Sequence, residues 1–492
     1  MEKGNQVFFA GIKGTGMCAL AELMHNDGIP VSGSDTKDVF YTDAILKELG
    51  IPYVETFDRE ALPPGISLAI YSAAYSPETN PQLVRAQSEG VPLLSYPEAL
   101  GAYSARFDSS GIAGVHGKTT TTAMAGTLIR ALGLPAKVLA GSAVSGFGGR
   151  STLSLGDKFF VAETCEYRRH FLFFHPRRIV LTAVESDHQD YYPDYQSILD
   201  AFVEYGRKLP PGGELIYCAD DPGASEAAGI IEREGRDIRL IPYGLCAGGD
   251  FRIEECRPEA GRLTMRLAGF PGEIALRVPG QYNALNAAAA LALTSSLVRA
   301  EYAGGGTAGV WNGERAETAR RALEEFSGTK RRQEITGEAG GVLFMDDYGH
   351  HPTAIRATLA GLRAAYPGRR LLVSFMSHTS SRTAALLDEF AAAFEDADIV
   401  FFHKIYASAR EDYSGGVTGR TLFERARAFR ARRPGGEGLY YTEEPLDAAA
   451  LLQELLCPGD LFLTMGAGDN WRLGQVLLAA YQARGAGGEA AR

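Results

Sequence analysis

Along this chain, runs of about four to six apolar residues alternate with stretches in which apolar positions recur every third or fourth residue. The runs predict buried strands of a parallel sheet, and the stretches predict amphipathic helices. Val7-Phe8-Phe9-Ala10, Val31 to Gly33, Leu68 to Tyr71, Ser110 to Ala113, Phe159 to Ala162 and Ile179 to Val184 read as strands. Val342 to Met345, Leu371 to Phe375 and Leu461 to Met465 continue the series towards the end. Helix faces are marked by Met17, Leu20 and Met24, by Met124, Leu128 and Leu132, and by Ile355, Leu359, Leu362 and Tyr366. Pro352 stands in the first turn of the last of these, where a missing N–H costs nothing. Strand and helix in alternation predict an α/β protein of open, mainly parallel sheets.

With 492 residues and 45% apolar content, the chain can fill about three cores. Polar breaks at Tyr103 to Ser110 and at Phe326 to Thr329 divide it into expected domains 1–105, 106–326 and 327–492. The first and third read as Rossmann-like α/β domains and the second as a P-loop ATPase-type α/β domain. An alanine-rich helix is expected from Gly280 to about Val298, followed by a low-complexity loop at Gly304 to Gly309. A net charge of −11 supplies no basic face for nucleic acid or an anionic membrane. Six cysteines, neither closely paired nor dense, read as free thiols. Met1 to Gln6 run straight into a strand, and no apolar run reaches about 18 residues, so neither a signal peptide nor a spanning helix is expected. The expected protein is cytoplasmic, a monomer or a homodimer.

Chemistry gathers where the strands end, the rim on which open α/β sheets bind ligands. Gly114-Val115-His116-Gly117-Lys118-Thr119-Thr120 joins a strand to a helix. Backbone N–H groups and the helix dipole there would face a triphosphate, with Lys118 on the outer phosphates and Thr119 on magnesium. Ile112 occupies the place of the usual first glycine, which makes the loop a compact variant. A solvated glycine-rich turn is the plain alternative.

A second glycine turn, Gly11-Ile12-Lys13-Gly14-Thr15-Gly16, precedes Asp35 by about 20 residues, a spacing that suits a dinucleotide or a nucleotide sugar. Glycines serving only close packing are the other reading. Ser72 follows the strand Leu68 to Tyr71. Glu163 and Glu166 follow one central strand, and Glu185, Asp187 and His188 follow another, which makes these carboxylates candidate ligands of a hard cation. His188 read alone is a ligand or a hydrogen-bonded structural histidine. Asn283 and Asn286 share a helix face and either bond a nucleotide or cap the helix. The third domain offers Asp346-Asp347-Tyr348-Gly349-His350-His351, then His378 and Arg382, then Gly466 to Asp469.

These residues, from the first strand to about Gly474, resemble the Mur ligase family. The pieces that carry the likeness are Gly114 to Thr122, Asp187-His188, Asn283 with Asn286, and Asp346 to Pro352. The resemblance implies an ATP-dependent ligase joining L-alanine to UDP-N-acetylmuramate through an acyl phosphate, with Mg²⁺, or alternatively one attaching a preformed murein peptide to the same sugar. It implies that Gly11, Gly14, Thr15, Gly16, Asp35 and Ser72 hold the UDP end rather than NAD. It implies that Gly114, His116, Gly117, Lys118, Thr119, Thr120, Asn283, Asn286, Asp347 and either Arg331 or Arg332 contact ATP, Arg332 being the choice made here. Thr119, Glu166 and His188 would ligate the metal, with Glu163 a weaker candidate, and Lys118, Glu166, His188 and Arg382 would carry the chemistry. His350, His378 and Arg382 would receive the amino acid, the arginine pairing with its carboxylate. The chain departs from the family at Thr379, where an arginine is usual, at Arg168 and Arg169 beside a metal-binding strand end, and at Gln333, where an aromatic is usual. The two arginines either rearrange acyl phosphate contacts or face solvent.

Overall fold

The computed structural model describes residues 5–259, 261–302, 310–406, 415–431 and 438–489. The loop expected at Gly304 to Gly309 lies outside them. Among the described residues four sheets form. The first holds β1 (Val7–Ala10), β2 (Val31–Ser34), β3 (Tyr53–Val54), β4 (Leu68–Tyr71) and β5 (Leu93–Ser95) in the order β3-β2-β1-β4-β5, all parallel. The second holds β6 (Asp108–Ala113), β7 (Ala136–Val144), β8 (Arg150–Ser154), β9 (Phe159–Glu163), β10 (Arg178–Leu181), β11 (Gly213–Cys218) and β12 (Ile238–Tyr243), in the order β12-β11-β10-β6-β9-β7-β8. Only the β7–β8 pair in it is antiparallel.

A small antiparallel sheet, β13 (Ile253–Glu259), β14 (Arg262–Leu267) and β15 (Glu273–Leu276), was not expected from the sequence. Its strands are short and half exposed, so their apolar alternation is faint. The last sheet holds β16 (Glu334–Ala339), β17 (Val342–Asp347), β18 (Leu371–Met376), β19 (Ile399–Phe402), β20 (Leu439–Tyr441) and β21 (Leu461–Gly466), in the order β16-β17-β21-β18-β19-β20 with β16 antiparallel.

Each expected apolar run lies on a strand, with one trimmed: β10 stops at Leu181, not Val184. Thr182 explains this. Its hydroxyl donates to the Ala113 and His116 carbonyls, and the Val115 N–H donates to the Ala183 carbonyl at 2.9 Å, so the chain folds over the loop after β6 instead of extending the ladder. The helix Lys118–Ala131 packs on the helix Gln281–Glu301, whose Ala287 to Ala290 are fully buried. Alanine there lets the two backbones approach closely while keeping full helix propensity.

His403, at the end of β19, is 2% exposed, its Nε2 2.8 Å from the Ser374 hydroxyl and its Nδ1 3.0 Å from the Thr442 hydroxyl. Burial pushes the imidazole down to about 4. A histidine held neutral by folding contributes stability that is complete above its unfolded value near 6.5 and is lost as pH falls towards 4. The difference corresponds to about 3 kcal/mol. The unfolding midpoint of the last-sheet region is therefore expected to fall between pH 6.5 and 4, and to fall less in His403→Gln. Parallel pH curves for the two proteins would contradict this assignment.

Candidate active site

In the second sheet β6 runs between β9 and β10, so the loop after β6 is flanked by Glu163 to Glu166 on one side and Thr182 to His188 on the other. Gly114 has φ 135°, and a Cβ there would fall 2.1 Å from the Thr182 hydroxyl and 2.7 Å from the Ala183 nitrogen. Gly117, at φ 79°, would strike the Asn286 side chain at 2.7 Å. Both positions require glycine for reasons of space as well as backbone conformation. Lys118 opens the helix, followed by Thr119 and Thr120 in its first turn.

Three expected residues meet at one carboxylate. Lys118 Nζ donates to the Gly114 carbonyl and, at 2.9 Å, to Glu166 Oε2, while His188 Nε2 lies 3.3 Å from Glu166 Oε1. Burial opposes ionisation of Glu166, yet Lys118 and His188 overcome it and hold the carboxyl down to about 2. The same contact keeps the buried Lys118 ammonium charged, above its ordinary value. The Thr119 hydroxyl donates to Glu163 Oε2 at 2.7 Å, and the Gly141 N–H donates to that oxygen at 2.9 Å. Two carboxylates thus border a helix N-terminus and one lysine, an arrangement that suits a polyphosphate with a cation.

Neither Asn283 nor Asn286 caps its helix, since Gly280 takes that position. They form a buried chain instead. Thr121 donates to Asn286 Oδ1 at 3.1 Å, Asn286 Nδ2 to Asn283 Oδ1 at 3.1 Å, and Asn283 Nδ2 to the Pro279 carbonyl at 2.7 Å.

In the first sheet, Gly11 and Ser72 sit at the ends of β1 and β4, where the strand order reverses, and the Ser72 N–H donates to the Ala10 carbonyl at 3.0 Å. Packing explains Gly11 and Gly16: a Cβ would lie 2.7 Å from the Tyr75 ring in one case and 2.8 Å from the Tyr96 ring in the other. Gly14 has room for a side chain, and Thr15 begins the helix Thr15–Asn26. Asp35 is 4% exposed and accepts from the Lys13 and Thr36 N–H groups at 2.7 and 2.8 Å, so it shapes the turn from within. A cavity of about 140 Å³, lined by Gly16, Tyr96, Gly141, Glu163, Cys165 and His170 among others, lies between this turn and the segments in β7 and at the end of β9.

The last sheet brings Asp347, His350, His378 and Arg382 to the same rim. Arg382 is 3% exposed, and its Nε and Nη2 both lie 2.7 Å from Asp187 Oδ1 of the second sheet's rim. The guanidinium expected to meet an amino-acid carboxylate is here committed to a protein carboxylate. Burial disfavours the Asp187 charge, but Arg382 and then His188 hold the carboxyl well below its usual range. The His350 and His378 rings stand 5.7 Å apart edge to face, with His378 Nδ1 3.5 Å from Arg382 Nη1. Burial, reinforced by Arg382, keeps His350 neutral well below its ordinary value, and its Nδ1 donates to the Tyr348 carbonyl at 2.8 Å.

Between Arg331 and Arg332 the structure draws a distinction. Arg331 bonds Asp346 and the Gly466 and Gly468 carbonyls, whereas the Arg332 guanidinium lies 5.5 Å over the Tyr348 ring and makes no hydrogen bond among the described residues, its backbone N–H alone donating, to the Thr329 carbonyl at 3.1 Å. Asp347 accepts from the N–H groups of Gln333 at 2.9 Å and Gly349 at 2.6 Å, and burial raises its pKa. Gln333 therefore acts here through its backbone, at φ 48°. Arg169 pairs with Glu204, and Arg168 is exposed over the Tyr167 ring at 5.4 Å, so neither arginine reaches the Lys118–Glu166 contact. Sequence reasoning grouped Glu185 and Asp187 with the candidate cation ligands and gave His351 no separate role. Asp187 joins Arg382, while Glu185 meets both His116 and His351, pairings between residues 69 to 195 positions apart that no local pattern encodes.

Comparison with known proteins covers most of the chain. Residues 6–108 match the Mur ligase family catalytic domain, residues 112–294 the Mur ligase middle domain, and residues 331–468 the glutamate ligase domain of Mur ligases. The UDP-N-acetylmuramate–L-alanine ligase of Treponema pallidum is 50% identical over 474 residues, 96% of each chain. That of Borrelia garinii is 36% identical over 96% of this chain and 98% of its own. In fold, the crystal structure of a UDP-N-acetylmuramate-alanine ligase from Thermotoga maritima superposes with TM-score 0.76 at 24% identity, covering 97% of this chain and 99% of that one. A murein peptide ligase from Psychrobacter arcticus superposes with TM-score 0.66 at 23% identity, over 97% and 99% of the two chains.

Proposed function

This chain belongs to the Mur ligase family, and we infer that it is an ATP-dependent ligase that joins L-alanine to UDP-N-acetylmuramate in peptidoglycan precursor synthesis. The observation that carries the mechanism is the Lys118–Glu166–His188 group at a helix N-terminus. A carboxylate is a poor electrophile and repels ATP. Lys118 offsets that repulsion by moving from Glu166 to the transferring γ-phosphoryl group, whose passage to the muramate carboxylate yields an acyl phosphate and ADP. The alanine amine, having lost a proton, then attacks the acyl carbon, and phosphate leaves as the amide forms.

Thr119, Glu166 and His188 fit Mg²⁺: they offer two oxygens, one from a carboxylate held ionised, and an imidazole, with substrate phosphates and water to complete the shell. The ion, when bound, neutralises phosphate charge. Neutral His350, its Nδ1 already donating, leaves Nε2 as an acceptor for the incoming amine. The cavity between the first turn and Glu163 suits the muramoyl end of the sugar nucleotide, with its diphosphate on the turn after β1. Gly114, His116, Gly117, Thr120, Asn283, Asn286, Arg332 and Asp347 would frame the ATP, Arg332 by a guanidinium still free to bond phosphate. Use of ATP and a sugar nucleotide supports a cytoplasmic reaction. No helix among the described residues is long and apolar enough to cross a membrane.

Phosphate release measured with ATP and UDP-N-acetylmuramate is expected to need L-alanine and to be poorly supported by a preformed murein peptide. The reverse preference would assign the chain to peptide recycling. Release independent of any amine would remove the case for amide formation.

A further inference from the structure

Outside the Lys118–Glu166–His188 group, His116, Glu185 and His351 converge from three separate segments: the loop after β6, the loop after β10, and the residue preceding the helix Pro352–Ala365. One donor atom from each lies within 4.8 Å of the other two. His116 Nε2 contacts Glu185 Oε1, His351 Nδ1 lies 3.5 Å from that same oxygen, and the two rings are 5.1 Å apart. Glu185 Oε2 is oriented by the Thr353 hydroxyl at 2.9 Å, the kind of outer contact that fixes a ligating carboxylate.

His351 is the informative member. It is 5% exposed, yet its Nδ1 has only long contacts, 3.4 Å from the Thr353 N–H and 3.5 Å from Glu185 Oε1, and its Nε2 has no hydrogen-bond partner among the described residues. A buried imidazole this poorly bonded calls for an explanation. No step of the ligase reaction derived above uses Glu185 or His351.

The geometry points to a transition-metal site on His116, Glu185 and His351, selective for Zn²⁺ over Mg²⁺. Two imidazoles and one carboxylate are a three-ligand zinc set, and the partial exposure of His116 and Glu185 gives solvent access to a fourth ligand. Mg²⁺ prefers an all-oxygen shell, which the neighbouring carboxylates supply better. Because His351 belongs to the last-sheet region and the other two to the second-sheet region, Zn²⁺ would pin them together. The inference does not rest on the identity of the ligase substrates.

Calorimetric titration of the full chain with Zn²⁺, free of nucleotide and Mg²⁺, tests it. Wild type and His188→Asn are expected to share a tight site that weakens by about tenfold or more in His351→Asn and in Glu185→Gln. Asparagine at 351 keeps a side-chain acceptor for the helix start, so the fold is held while the imidazole is lost. A thermal shift with Zn²⁺ should follow the same order. Unchanged affinity in either His351→Asn or Glu185→Gln, or a tight site lost in His188→Asn alone, overturns the assignment.

Discussion

Lys118→Ala is expected to lower phosphate release by about a thousandfold or more while ATP binding weakens far less, because the lysine acts on charge that develops during transfer. Two effects combine. Phosphoryl charge loses the Lys118 ammonium, and Glu166, 2% exposed, loses the cation that does most to offset its burial. With no ammonium beside it, the Glu166 pKa should rise, and a protonated carboxyl is a poor metal ligand. Lys118→Met combined with Glu166→Gln separates these terms by removing both charges: stability should recover, activity should not. Turnover in Lys118→Ala within tenfold of wild type would show that the ammonium is structural.

Arg382→Ala is expected to cost about 3–5 kcal/mol of stability, since it strands Asp187 as a buried, uncompensated charge. A depressed carboxylate contributes its stability above its unfolded value near 3.9 and loses it as pH falls towards the folded value, so the penalty should persist throughout the neutral range. Replacing both partners, Arg382→Met with Asp187→Asn, should recover most of the loss. The decisive measurement is use of L-alanine in that pair. If the KM for L-alanine stays raised while ATP binding is normal, Arg382 exchanges Asp187 for the substrate carboxylate in the reacting complex. If it returns to normal, the arginine only joins two domains.

The strands that were legible are parallel ones buried on both faces, which leave continuous apolar runs, and β1, β4, β17 and β21 read almost to the residue, whereas β7, β11 and β19, also largely buried, went unread. Strands with one wet face were not: β13 to β15 and the edge strand β16 carry charged residues at alternate positions or break pattern at glycine. For the site, residues one strand end apart were found by their position after apolar runs, as with Lys118, Glu166 and His188. What could not be read was partnership. That Arg382 faces Asp187, that Asn286 fills the space over Gly117, and that Asp35 serves Lys13 depend on how distant segments meet.

The helix Gln281–Glu301 also fixes an order of events during synthesis. The first sheet is complete within the first hundred residues and can fold as it emerges, but the helix Lys118–Ala131 waits for its alanine-rich partner, made roughly ten seconds or more later at ordinary translation rates. During that interval the nascent chain carries an apolar helix face with nothing to cover it, so truncation before the partner is made should yield aggregates rather than a free-standing ATP-binding unit.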